Sequence, residues 1–599
     1  MVTAGSSGRE CSYSHDISGE LFDDIAGETW SCPHEYTDSS DYCPVHRSSA
    51  SAQEVRSFIT NACERDDAGR AETQFFGAEC SALELGHTVL DDSSLFPVDF
   101  RDAIFGGVSM KKSRIRRPIT LAGATIRGPL NCKQAVFEQE FDIHGAVIDR
   151  DATFEFARFD NWCTVSDTRF KEATFNGAVL SRGIDAAGVH FRGHSEFVNT
   201  NFEQLTNFRG ATFVERADFD GPEFFLDARF DQSVFYGPAF FETTKFHQVG
   251  VFRNAEFNGP VSFRNCLVVG RGSFQNAKFG DAALFPGIKF ESVATFNGAK
   301  FHKGVDLRKA SISQLRFKPL VVKPAASPVR FSGAHIGGGV LQVPDSGASE
   351  VQLRNATLGD VKLHSSKTEL VLDSFGLEDV RYEGFSFDGL EQELPDSGGR
   401  LELVESGGHR GWWQSALSIL PGRRRQLQSK SDGNDDLENS MLVRTYRKAK
   451  NGADRVGESK ASSYLFRKEM KYRRKGHLET VHDPEASGTR RLTAGFRWIS
   501  NAALYVTAGY GERPSWTVVS SVVSILLFAG AYTALGVYTG DASAAESLLF
   551  SAQSFVTFIV GGGPEATGFG VELLSVLQGF TGAFLVAVFV FTLTRTVYR

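Results

Sequence analysis

Residues 211–241 read ATFVERADFDGPEFFLDARFDQSVFYGPAFF, and this stretch belongs to a phenylalanine repeat that decides the fold. One series takes every eleventh position from Phe197 to Phe296, and all ten of its positions are Phe. An interleaved series runs from Phe191 to Phe301, and ten of its eleven positions are Phe, the exception being Val268. Steps between the two series alternate between six and five positions, a spacing that neither an α-helix nor a β-hairpin explains.

This spacing predicts a chain that turns a corner at each large residue. Four steps, of five, six, five and six positions, complete one square coil with a period of 22. Backbone hydrogen bonds would stack such coils about 4.8 Å apart. From Ile126 to Phe301 this gives roughly eight coils and about 40 Å of rod, with phenylalanines stacked inside as columns. Weaker echoes, such as Phe385-Ser386-Phe387, extend the predicted β-helix over residues 126–392.

Small residues precede many of the large ones by two positions, as in Ala211-Thr212-Phe213 and Ala217-Asp218-Phe219. These units resemble the repeat of the pentapeptide-repeat family. The resemblance implies a right-handed quadrilateral β-helix. We expect this rod to act as a sensor or scaffold for a protein or ligand of unknown identity. Because a phenylalanine interior offers no catalytic group, and no nucleophile–base pair or phosphate-binding loop stands out, the sequence does not predict an enzyme.

The C-terminal part of the chain contains two uncharged segments, 516–538 and 573–593. Each is long enough to cross about 30 Å of hydrocarbon. Arginines precede the first segment and follow the second, whereas the loop between them carries only acidic charges. By the positive-inside rule, both termini are cytoplasmic and the loop faces outward. We therefore predict a two-span protein of the cell membrane, surrounded by the lipid bilayer; two buried helices of a soluble domain are the alternative.

A helical run, 544–555, lies between these segments and is too short to cross a membrane. A glycine-rich loop follows it, and backbone carbonyls of such a loop can line a cation path. A short helix, a glycine-rich loop and a spanning helix together resemble the two-helix pore of potassium channels over about 516–595, and the pore domain is predicted over 512–599. The resemblance implies a re-entrant loop, a monovalent cation as the permeant ion, a homotetramer, and a bend of the second spanning helix at Gly579 or Gly582. The filter that it implies consists of Thr557, Phe558, Ile559, Val560, Gly561, Gly562 and Gly563.

Two features leave alternatives open in this region. Ile559 and Gly562 stand where the filter of that family has Thr and Tyr, which favours a non-conducting anchor for an interaction scaffold. The stretch Thr507-Ala508-Gly509-Tyr510-Gly511 resembles the family's filter more closely. Since no spanning segment precedes it, 494–511 is predicted as an interfacial helix and turn.

A basic linker, 409–511, joins the predicted β-helix to the membrane segments. Residues 442–475 have the pattern of two helices, and lysines and arginines concentrate in 467–475. Two interpretations stay open, a helical hairpin at an anionic membrane surface and a solvated pair of connecting helices. The whole chain has 64 basic and 72 acidic residues and a net charge of −8, which disfavours nucleic acid as a partner.

Five of the eight cysteines lie in the N-terminal stretch that ends at Cys80, and no secretory signal is visible there. Cysteines of a cytosolic segment are better suited to metal binding than to disulfides. In residues 1–50 a tetrahedral zinc site is predicted, with His34 as a substitute for one ligand. The predicted ligands are Cys11, Cys32, Cys43 and His46. A partly disordered tail with free thiols is the alternative, and 51–125 is predicted as a connecting segment of mixed structure.

The predicted fold class is therefore multidomain. It combines an all-β right-handed solenoid, a helical linker and an α-helical two-span pore domain. The predicted function is a potassium-channel-like cation pore that carries a cytoplasmic β-helix, and the alternative is a membrane-anchored scaffold.

Overall fold

The computed structural model describes residues 9–36, 40–64, 70–91, 96–322, 329–343, 351–365, 371–390, 435–535, 544–560 and 568–597. The chain divides into two compact units, Met1–Leu377 and Glu378–Arg599. The first unit is built on a β-solenoid, and the second consists mainly of α-helices. Gly561, Gly562 and Gly563 of the predicted filter lie outside the described residues.

Short parallel strands separated by tight turns form the solenoid, which covers residues 79–382 in about 13 turns. One coil contains the strands His190–Phe191, Ser195–Glu196, Asn201–Phe202 and Thr206–Asn207. Each of them pairs in parallel with the equivalent strand of the next coil, so that Phe191 is paired with Phe213. Longer strands occur at Val147–Thr153, Arg169–Thr174, Lys289–Thr295, Ser311–Phe317, His335–Val343 and Thr357–Ser365. The predicted stack of coils is confirmed.

Stacked phenylalanine rings fill the solenoid. Rings at equivalent positions of successive coils lie face to face, and the centroids of Phe219 and Phe241 are 4.8 Å apart with 2° between the ring planes. Rings of neighbouring columns meet edge to face, as Phe219 and Phe230 do at 5.4 Å and 90°. Each such pair adds about 0.5–1.5 kcal/mol to the hydrophobic burial of the rings. Between Phe191 and Phe301 the two series of the sequence thus form four columns, each of which receives one ring from every coil except where Val268 replaces a ring.

The solenoid begins before the phenylalanine repeat does. Parallel pairing of Leu83 with Val108 already belongs to the stack, so residues 79–125, which the sequence predicted as connecting structure, form its first coils. The inward positions of these coils carry mostly aliphatic and methionine side chains, such as the fully buried Met110 and Ile115, and two phenylalanines, Phe100 and Phe105. With so few rings the regular phenylalanine repeat is missing, which is why the sequence pattern starts late.

The change of phase between Phe170 and Phe191 corresponds to a coil that has one residue fewer than the regular repeat. The two rings still stack, with centroids 5.3 Å apart and 10° between their planes. The register between strands Val147–Thr153 and Arg169–Thr174 shifts after Ile148. The backbone therefore absorbs the missing residue, and the column of rings continues.

An N-terminal segment precedes the solenoid in the same unit. It contains two antiparallel strand pairs, Ser14–Asp16 with Thr29–Ser31 and Arg9–Glu10 with Glu35–Tyr36. Helix α1 (Ala52–Cys63) follows them. Ser51 and Glu54 form a reciprocal capping box at its start, which satisfies two backbone N–H groups and fixes the beginning of the helix.

The second unit contains six α-helices among its described residues. They are α2 (Asp435–Arg455), α3 (Ser459–His482), α4 (Gly488–Ala508), α5 (Pro514–Leu535), α6 (Ala544–Val560) and α7 (Phe569–Val597). Helices α2 and α3 form a hairpin, in which the rings of Tyr446 and Tyr472 stack at 5.4 Å. Arg447 of α2 pairs with the buried carboxylate of Glu469 at 3.0 Å.

The potassium-filter-like sequence after residue 506 is a helix end. Helix α4 stops at Gly509, which adopts the left-handed conformation with φ of 55°. Tyr510 is also left-handed, with φ of 62°, and its hydroxyl donates a 2.7 Å hydrogen bond to Asn501. Helix α5 starts shortly after this turn, at Pro514. The backbone here therefore has the form of a helix and turn.

Candidate functional site

Two helices, α5 and α7, are long and apolar enough to cross a membrane. Only 17% of the apolar window of α5 and 22% of that of α7 is buried, whereas the core helix of a soluble domain is mostly buried. Large apolar side chains point outward, with Leu527 69% and Phe591 59% exposed. Helices whose large apolar side chains face outward are suited to a surrounding of lipid hydrocarbon.

Polar side chains lie between α5, α6 and α7, beside an apolar cluster of Tyr532, Phe550 and Val571. The hydroxyl of Tyr532 donates to the side-chain carbonyl of Gln578 at 2.8 Å, and the Gln578 amide donates to the Ser551 hydroxyl at 2.7 Å. Ser551 in turn donates to the backbone oxygen of Ile525 at 2.7 Å. One continuous hydrogen-bond network therefore joins all three helices, and such bonds between membrane helices contribute on the order of 0.6–2 kcal/mol each.

Helix α6 crosses α7 at the middle of its apolar stretch. Gly582 lies at the midpoint of Phe569–Thr594, and a Cβ atom on it would overlap the carbonyl oxygen of Phe555. Helix α6 ends five residues after Phe555, at Val560, which is about 8 Å along a helix axis. Measured along the axis of α6, the carboxyl end of this helix therefore lies within about 8 Å of its contact with Gly582.

The described part of the predicted filter is helical. Residues 557–560 form the last turn of α6, and the Thr557 hydroxyl donates to the Gln553 carbonyl at 2.7 Å. Helix α6 thus continues past residue 555, where the sequence predicted its end. The last four carbonyls of a helix have no partner within it, and in α6 these belong to 557–560.

The two glycines predicted as a bend lie within the continuous helix α7. Gly579 is buried. Gly582 is the contact point of α7 with α6, because only the absence of a side chain lets the Phe555 carbonyl approach so closely. Its role in the structure is close helix packing, which small residues commonly serve in membrane proteins.

Helix α4 presents an exposed apolar stripe next to arginines. Leu492, Phe496 and Ile499 are 77%, 73% and 60% exposed, and their spacing of four and three positions places them on one helix face. Arg490 and Arg497 lie in the same helix. This combination is typical of a helix that lies in a membrane–water interface.

A second candidate site lies in the N-terminal segment. The structure brings together all four predicted ligands, with their ligand atoms within 4.8 Å of one another, and each residue is buried. The sulfur atoms of Cys32 and Cys43 are 3.8 Å apart. His46 Nδ1 lies 3.2 Å from the Cys43 sulfur and 3.7 Å from the Cys11 sulfur. Cys3His is a known type of structural zinc site.

The imidazole of His46 is oriented by the backbone. Its Nε2 lies 3.0 Å from the carbonyl oxygen of Phe76 and therefore carries the proton, which leaves the Nδ1 lone pair facing the thiols. The proposed substitute, His34, makes the same bond to Glu72 at 2.9 Å but belongs outside the four-ligand group. Burial lowers the pKa of His34.

The three thiols influence each other's ionisation. Hydrogen bonds from Cys32 and Cys43 lower the pKa of the Cys11 thiol. The same contact with Cys11 raises the pKa of Cys32 and raises that of Cys43 to about 12. Three adjacent thiolates would repel one another, so a cation between them would favour ionisation of all three.

Sequence reasoning missed the polar network around Gln578. Its signal was present, since Gln578 is the one amide side chain in the uncharged segment 573–593. A polar side chain in such a segment tends to face other helices. Its partners Tyr532 and Ser551 could not be identified without the packing of three helices.

Comparison with known proteins identifies no relative of this chain: no family model, no curated protein and no solved structure matches it.

Proposed function

We propose that the chain is a membrane protein whose helices α5, α6 and α7 form part of a cation-conducting pore, with the solenoid on the cytoplasmic side. The observation that carries this proposal is the depth at which α6 ends. If Gly582 marks the centre of the bilayer, the end of α6 lies inside a hydrocarbon layer that extends about 15 Å on either side.

A helix that ends at this depth needs a polar surrounding. Its last four carbonyls, 557–560, have no partner within the helix, and each would cost several kcal/mol if left unpaired in lipid. Water or a cation in a pore removes this cost. The carboxyl end of a helix also carries about half a negative charge, which favours cations over anions. The glycines at 561–563 follow directly in sequence, and their carbonyls would extend the cation path.

One chain supplies two spanning helices, which are too few to surround a pore. Several copies around a common axis are therefore required, and four is the number that the resemblance to the potassium-channel pore implies. The exposed apolar faces of α5 and α7 would then contact lipid and neighbouring copies.

One observation favours a second function, that of a membrane-anchored scaffold. The solenoid carries an open groove of about 760 Å³ whose lining includes Arg209, Arg229, Arg253 and Arg271 against two acidic residues, Asp227 and Asp231, the second of which pairs with Arg253 at 2.9 Å. Such a polar groove suits an acidic partner better than an apolar one. In this alternative the helices only anchor the solenoid, and the pore does not conduct.

Cation flux into liposomes that contain the purified full-length protein distinguishes the two functions. We expect flux of K⁺, and Gly561→Ala is expected to reduce it at least about tenfold, because a side chain would enter a path lined by backbone. Gly570→Ala is the matched control, since a Cβ there meets no atom within 4 Å. Absence of flux from the unmodified protein, together with absence of a crosslinked tetramer, would support the scaffold.

A further inference from the structure

We infer that Cys11, Cys32, Cys43 and His46 bind one structural Zn²⁺ ion, and that this ion holds the N-terminal segment as a cap on the first coil of the solenoid. The inference concerns the first unit and is independent of the proposed pore.

The ligand geometry fits zinc. Zinc–sulfur bonds of about 2.3 Å and a zinc–nitrogen bond of about 2.0 Å place the sulfur atoms of a tetrahedron about 3.8 Å apart and sulfur and nitrogen about 3.5 Å apart. The Cys32–Cys43 separation is 3.8 Å, the sulfur–nitrogen separations from His46 to Cys43 and Cys11 are 3.2 and 3.7 Å, and all ligand atoms lie within 4.8 Å of one another. Soft sulfur and imidazole ligands exclude Ca²⁺ and Mg²⁺, which prefer oxygen.

The surroundings of the four ligands fit a closed site. Every ligand residue is at most 7% exposed, so no position is open for substrate, and a structural role is favoured over a catalytic one. The backbone N–H of Cys43 donates to the sulfur of Cys11 at 3.3 Å. The ring of Tyr13 stacks on His46 at 3.9 Å and helps to fix the imidazole in place.

The site lies where the N-terminal segment meets the start of the solenoid. His46 bonds to the backbone of Phe76, and the Tyr13 hydroxyl donates to the Gly77 carbonyl at 3.0 Å. The indole of Trp30 donates to Gln74 at 3.2 Å. A zinc ion that fixes the segment would therefore also fix its contacts with residues 74–77.

A cap is needed at this position for physical reasons. The first coil of a solenoid has one stacked neighbour, and its open end exposes apolar side chains and unpaired backbone groups. Phe75 and Phe76 are nevertheless fully buried. The ring centroid of Trp30 lies 4.8 Å from that of Phe76, and the ring centroid of His34 lies 4.8 Å from that of Phe75. The covering segment is too short to hold itself together by a core of its own, and metal binding can supply that folding energy.

The first test measures metal content of the full-length protein after reconstitution with Zn²⁺ under reducing conditions. We expect about one zinc per chain, and Cys43→Ser is expected to lower the content at least about fivefold. Cys266→Ser is the matched control, because Cys266 is equally buried but contacts the Phe241 carbonyl. Substitution with Co²⁺ in the unmodified protein is expected to give the absorption bands of a tetrahedral thiolate site.

The second test addresses the cap. Removal of zinc by a chelator is expected to increase amide hydrogen exchange in 72–105, whereas exchange in 208–252, in the middle of the solenoid, stays unchanged. Absence of zinc and of the cobalt bands in the unmodified protein would overturn the inference, as would a Cys32–Cys43 disulfide as the stable state. If zinc binds but its removal by a chelator does not change amide exchange, the proposed cap is overturned and the proposed metal site is supported.

Discussion

Replacement of Phe230 by alanine is expected to destabilise the middle of the solenoid by about 3–5 kcal/mol. The Phe230 ring is fully buried and stacks on Phe208 at 5.1 Å and on Phe252 at 5.0 Å. Its edge contacts reach Phe219 and Phe241 at 5.4 and 5.5 Å. Alanine would leave a cavity between four rings that belong to a continuous stack, and these rings cannot move together to fill it.

Amide hydrogen exchange on the full-length protein measures this effect coil by coil. Because each coil contacts only its neighbours, faster exchange is expected around residues 208–252 and not at the ends of the solenoid. The control is Phe225→Ala, which removes a ring that is 40% exposed and is expected to cost less than about 1 kcal/mol. Equal effects of the two substitutions would mean that the rings do not carry the stability of the solenoid.

Replacement of Gly582 by alanine is expected to separate α6 from α7 and to reduce cation flux at least about tenfold. The new Cβ would overlap the Phe555 carbonyl oxygen, which is backbone and cannot rotate away. The two helices would have to move apart, and the Gln578 amide would lose its alignment with Ser551. Moving α6 away from α7 would also displace the carboxyl end of α6 and so change any path that its carbonyls line.

Gly530→Ala in α5 is the matched control, because a Cβ there meets no atom within 4 Å. Flux into liposomes and hydrogen exchange in α6 should be measured together for both variants. Faster exchange with unchanged flux in Gly582→Ala would support the contact between α6 and α7 but contradict the proposed pore. Unchanged exchange and unchanged flux would contradict the helix contact itself.

The solenoid could be predicted from sequence because its interior repeats one residue type. Ten phenylalanines at every eleventh position determine the coil length, and the coil length determines the pairing of Phe191 with Phe213. Coils that use mixed apolar residues, such as those around Met110, follow the same geometry with no repeated letter. Their membership in the solenoid depends on pairing between strands, which a single sequence does not display.

The candidate sites differ in how far the sequence could predict them. The four metal ligands are recognisable by residue type, although Cys11, Cys32 and Cys43 lack the close spacing of most zinc motifs, and only the fold brings them together. The contact of Gly582 with Phe555 was not predictable, because the approach of two helices depends on all the side chains around them. A glycine in an apolar helix indicates a bend and a close contact equally well.

The regular coil of the solenoid also acts as a unit of length. Phe213 and Phe235 occupy equivalent positions in one column, with centroids 4.5 Å apart and 2° between the ring planes. Deleting residues 213–234 would bring Phe235 next to Phe191 in that column and leave the joined chain with the same type of strand pairing. Duplication of a coil would lengthen the solenoid by about 4.8 Å. Genes for such chains can therefore change the reach of the protein in fixed increments, without a new core having to evolve.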